Sequence, residues 1–155
     1  MILFKIVLLM LFNNTSCESI NNVRNEYHNF TSEKSIDEFI IKYSNSSCVD
    51  FKPYVASAIM QKAPYAFSPL KKLKYFNQGK KLLESFIEEN PNHIEARYVR
   101  VLVQSESPSF LGYTKNIQSD INVIKSKIAT SQLPISYQNL MLKNINYVLN
   151  KENLN

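Results

Sequence analysis

Two cysteines, two histidines and a run of lysines are the residues of this chain best placed to do chemistry. Nucleophilic catalysis would have to pair Cys48 with His93, which lie far apart in sequence with no glycine-rich turn or oxyanion device beside either. His28 stands in a polar stretch with no assigned role. The histidines and cysteines do not converge on one helix face as a zinc or haem site requires, so no metal and no cofactor is expected. Gly79 and Gly112 stand alone, which leaves no phosphate-cradling loop. The chain reads as a non-enzymatic protein.

What remains is charge. Lys62, Lys71, Lys72, Lys74, Lys80 and Lys81 follow one another with no intervening acid, in a chain of net charge +5. Lys71, Lys74 and Lys81 fall on one side of a helix. Such a face fits an anionic lipid, a surface glycan or an acidic protein, and equally the solvated exterior of an amphipathic helix. Tyr75 and Phe76 serve a core better than they would stack on bases, and nucleic acid is not an expected partner. Arg97 and Arg100 occupy an otherwise apolar helix, where a cation pairs with a carboxylate or with loop carbonyls as a structural clamp. If instead the loop at 107–113 folds over a groove, Arg97, Arg100, Tyr113, Tyr65 and Phe67 converge at its mouth.

These residues need elements to position them. A chain of 155 residues, 20% charged and 45% hydrophobic, suits one globular domain with a genuine core. Two glycines are too few for a hairpin-rich fold. Apolar spacing at i, i+3, i+4 and i+7 predicts a helix capped by Ser35 and carrying Ile36, Phe39, Ile40 and Tyr43. A second helix starts at Asp50 as its cap and runs to about residue 63, and a double-proline link at 64–69 separates it from the longest helix, 68–89. Gly79 falls in the apolar stripe of that helix, where close approach by a neighbouring helix or an aromatic ring is the simplest reason for it. The next helix, from His93 to about Ser105, shows one apolar face of Ile94, Tyr98, Val101 and Leu102 and another of Ala96, Val99 and Val103. A surface so wide predicts a central helix. Two more helices, 114–129 and from about Pro134, complete an all-α fold of five to six antiparallel helices.

The N-terminus carries an address. Met1 to Lys5 lead into the apolar run Ile6 to Phe12 and then into small polar residues, the layout of a signal peptide over residues 1–18. The rest divides into a flexible leader at 19–34, one helical domain at 35–152 and a frayed tail at 153–155. Export to the periplasm or outside the cell is expected, with no transmembrane span in the mature chain. Cys17 is open to removal, to lipid attachment without the usual lipobox leucine before it, or to a bridge with Cys48 that ties the N-terminal tail to the start of the second helix.

Over about one repeat length, the helix ending at Glu89, the turn Asn90-Pro91-Asn92 and the opening Ile94-Glu95-Ala96 resemble the junction between two tetratricopeptide repeats. The resemblance implies a TPR-like central hairpin and a protein-binding role. At the positions where that family places a large aromatic and a leucine, this chain has Arg97 and Arg100. The segments from Phe67-Ser68-Pro69 through Gly79-Lys80, and from Pro108 to Tyr113, are similar to small exported proteins of Bacteroidetes, which implies an envelope location. The expected function is therefore a binding or scaffold protein of the cell envelope, engaging a protein partner through a helical groove or through the basic face. The alternative is a carrier of a small ligand or lipid head group with an aromatic and arginine-lined mouth. A closed apolar cavity would favour the carrier, and an open concave face the adaptor.

Overall fold

The computed structural model describes residue 17 and residues 20–152. The expected signal peptide, Cys17 apart, and the expected frayed tail lie outside the described residues. Seven α-helices follow in order: α1 (Ile20–His28), α2 (Glu33–Tyr43), α3 (Lys52–Gln61), α4 (Pro69–Glu89), α5 (Ile94–Glu106), α6 (Ile117–Lys127) and α7 (Ile135–Glu152). Short 3-10 turns lie at Val49–Phe51, Ala63–Tyr65, Ser109–Leu111 and Ile128–Thr130. No strand occurs among the described residues, so the chain is all-α. None of the described helices is long and apolar enough to cross a membrane.

The helix beyond the expected five to six is α1, which occupies the stretch expected to be a flexible leader. Val23, Arg24 and Tyr27 are buried there. One i, i+4 apolar pair in a polar stretch is too short to register as a period. What seats α1 is tertiary: Val23 and Tyr27 join Phe39, Tyr43 and Tyr54 in one core cluster. Of the fates open to Cys17, the bridge is the one present, a disulfide to Cys48 that fastens the chain just ahead of α1 to the turn before α3.

Local chemistry sets the helix starts. Ser32 and Ser35 form a reciprocal cap, each hydroxyl accepting from the other's backbone N–H at 3.3 and 3.2 Å, so α2 begins ahead of the expected Ser35 cap. Ser68 caps α4 through Lys71 N–H at 3.3 Å with Pro69 in the first turn, as its sequence predicts. Asp50 does not cap α3. A 3-10 turn leads into that helix, and the Asp50 carboxylate instead accepts from His93 Nε2 at 3.2 Å. His93 Nδ1 in turn accepts from Ala96 N–H at 3.1 Å and caps α5.

Gly79 marks the crossing of α3 and α4. A Cβ there would lie within 3.0 Å of the Ala56 carbonyl oxygen and of Met60, including 2.9 Å from its backbone nitrogen. Close helix approach, one of the two reasons its sequence position invited, is the one that applies. α5 is central, with Ala96 and Val99 belonging to the core shared by α1 to α4. Ile94, Tyr98 and Val101 belong to a second core with α6 and α7. Each large apolar side chain so buried is worth about 1.5–3 kcal/mol. Glu84 and Arg100, about equally far from the Asn90–His93 turn, meet at 2.6 Å, which makes α4 and α5 antiparallel neighbours. The main partner of α4 is nevertheless α3, and that of α5 is α6.

Candidate binding cleft

Pro64 stands between α3 and α4, Pro69 opens α4 and Pro108 follows α5, and all three border one space. Between them lies a cleft of about 970 Å³, open to solvent. Its walls come from Tyr27 and His28 of α1, Met60 and Gln61 of α3, Lys72, Leu73 and Phe76 of α4, Leu102 and Val103 of α5, Phe110 in the loop, and Asn144, Tyr147 and Val148 of α7. The lining is mainly apolar with a few polar groups, which is the composition of binding sites. Leu73, Phe110 and Tyr147 are exposed at its rim.

Behind the cleft runs a buried polar network. Arg24 grips Glu95 through two parallel hydrogen bonds, Nε to Oε2 at 2.8 Å and a terminal nitrogen to Oε1 at 2.6 Å, and gives a third to Asn21 at 2.8 Å. Its guanidinium also lies over the Tyr137 ring, 4.7 Å from the centroid. Burial alone would pull this guanidinium's pKa down, but the Glu95 carboxylate outweighs it and the net shift is upward. Tyr54 donates to Glu95 and shares a 2.7 Å hydrogen bond with the Tyr137 hydroxyl. Burial, reinforced by Glu95, raises both phenols, so they hold their protons and serve as donors at neutral pH. Tyr27, bonded to Ser57 at 2.8 Å, is pushed up to about 12 by burial.

His28 is the hinge between this network and the cleft. It lines the cleft on one side and, on the other, a smaller cavity of about 290 Å³ shared with Asn21, Arg24, Asn25 and Tyr137. Its Nε2 faces Tyr137 Oη at 3.4 Å and Tyr98 Oη at 3.5 Å, while Asn144 donates to Tyr98 at 2.7 Å. Burial lowers its pKa from the ordinary 6.5, so the ring is neutral at pH 7.

The residues singled out from the sequence lie elsewhere, since none of the eight is part of the cleft wall. Arg100 is buried and donates to both oxygens of the fully buried Asp120, at 2.7 and 2.8 Å, and to Glu84. Arg97 binds the same Asp120 and the Pro91 carbonyl at 2.8 Å. Tyr113 is buried, donates to Glu84 and packs edge-on against Phe76. These three form a clamp, so the groove mouth in which they would meet Tyr65 and Phe67 is corrected: both arginines are consumed by carboxylates and a carbonyl. Tyr65 and Phe67 are exposed near the start of α4, and Lys71, Lys74 and Lys81 lie exposed along that helix.

Sequence reasoning passed over Glu95, Tyr54, Tyr137 and Asn144, and left His28 without a role. The one signal available was an acid, Glu95, set between the apolar Ile94 and Ala96. Among the described residues, three residues of metal-ligating type gather only at Cys17, Cys48 and Asp50, and there the two sulfurs are bonded to each other. Comparison with protein families, with curated proteins and with solved structures returns no match.

Proposed function

We propose that this chain is a non-enzymatic, exported binding protein of the cell envelope whose cleft seats the apolar face of a helix from a protein partner. The observation that carries this is the cleft itself: it is open rather than closed, apolar within, and continuous with exposed Leu73, Phe110 and Tyr147. An amphipathic helix laid in such a groove removes both surfaces from water at once. The tetratricopeptide-like pairing of α4 and α5 belongs to the same proposal, because repeat hairpins of that kind present concave protein-binding faces. The Cys17–Cys48 bridge supports the export part, since disulfides persist in oxidising compartments.

A photo-crosslinking residue placed at Tyr147 or Phe110 tests the proposal. Discrete protein adducts are expected at both positions and none at Ile41, which is exposed on α2 away from the cleft. Absence of a protein adduct at both cleft positions overturns it. A second reading, an amphiphile carrier, draws on the side chains of His28, Gln61 and Asn144 in a mainly apolar wall. It would appear as lipid rather than protein in the same crosslinked material.

A further inference from the structure

Around the start of α4 the surface combines two features that water alone does not explain. Phe67 is fully exposed and Leu70 is 82% exposed, while across the cleft mouth Phe110 is 84% exposed. Leu70 stands one turn before Leu73, which lines the cleft together with Phe110, and Phe67 stands just ahead of the helix, outside the cleft wall. Among them stand Lys71, Lys72 and Lys74, all exposed and in no ion pair among the described residues. The first turns of a helix are the positive end of its dipole, and α4 places lysines there with no acid in its first turn. Three cations at that end destabilise an isolated helix and attract an anionic surface.

We infer that Phe67, Leu70 and Phe110, flanked by Lys71, Lys72 and Lys74, form a docking face for an anionic lipid bilayer. The apolar side chains enter the interface between head groups and acyl chains, and the lysine stems lie along them with the ammonium groups at the phosphates. A bilayer suits Phe67 and Leu70 better than a protein surface does. They project from turns and helix ends around an opening instead of forming a flat patch, and the charged residues of the first turns of α4 are all lysines, while Glu106 of the cleft wall is paired with Lys151. Phe67, Leu70, Lys71 and Lys74 lie outside the cleft wall, so their part of the face is separate from what the cleft holds.

The chain has no tryptophan, so Phe67→Trp supplies a single emission reporter at the tip of the face. On vesicles containing phosphatidylglycerol the emission is expected to shift to the blue and the protein to co-sediment, with both effects weakening as salt is added. On pure phosphatidylcholine neither is expected. In the native background, Lys71→Gln, Lys72→Gln and Lys74→Gln should each weaken partitioning by roughly fivefold, and Phe67→Ser with Leu70→Ser should abolish it. Circular dichroism checks that these exposed substitutions leave the fold intact, and Ile41→Ser serves as the control. Failure to sediment with anionic vesicles at low salt, equal affinity for neutral vesicles, or an equal loss in the Ile41 variant overturns the inference.

Discussion

Arg24 and Glu95 are each buried and each depends on the other for its charge to be tolerable. Removing one partner of such a pair leaves an uncompensated buried ion, which costs about 3–5 kcal/mol. Glu95→Leu is therefore expected to lower unfolding free energy by that order in urea titrations, and Arg24→Met in the same chain to recover much of the loss. His28 makes a prediction of its own. Burial depresses its pKa below 6.5 in the folded state, so as pH falls below 6.5 the unfolded chain takes up a proton that the native ring refuses. Stability is thus full above 6.5 and declines on acidification until the folded-state pKa is reached. His28→Asn should show a smaller loss of melting temperature over that acid limb than the parent, and identical slopes would contradict the assignment.

At the scale of elements, the crossing of α3 and α4 admits no methyl group at position 79. Gly79→Ala gains about 1 kcal/mol of helix propensity, but the Cβ meets backbone atoms of Ala56 and Met60 that only a helix shift can relieve. Overpacking of this kind costs about 1–3 kcal/mol, so the melting temperature should fall, as differential scanning calorimetry would register. This crossing was legible in the sequence, because a glycine inside an apolar stripe opens a notch in the buried face that a neighbouring element must fill. The two-faced character of α5 was legible for a similar reason: its apolar residues leave little room for solvent. α1 was not, since its place depends on the distant partners of Val23, Tyr27 and Arg24 and on a disulfide rather than on a sustained period of its own. Nor was the cleft, which is a space left between helix ends, and no periodicity describes the relative placement of α3, α4, α5 and α7. Arg97, half-buried, and Arg100, buried, both meet Asp120, a carboxylate of α6 that the pattern of α5 alone does not name.

Over the whole molecule, the Cys17–Cys48 bridge closes a loop spanning a sequence separation of 31. In the chain-entropy view a loop of that size stabilises the fold by about 3–4 kcal/mol. Reduction should lower the unfolding midpoint accordingly, and hydrogen exchange should speed up first in α1, whose leading end the bridge holds. α1 also supplies Tyr27 and His28 to the cleft, so the reduced protein should lose affinity for whatever the cleft binds. The contact between Arg24 and Glu95 spans 71 residues of chain, which gives the fold an order in time. At about 5–20 residues per second, the ribosome delivers α1 several seconds before the acid that seats it. During that interval Arg24 has no acid to close on, so on the export route proposed above the N-terminal segment can enter a channel before its buried ion pair forms.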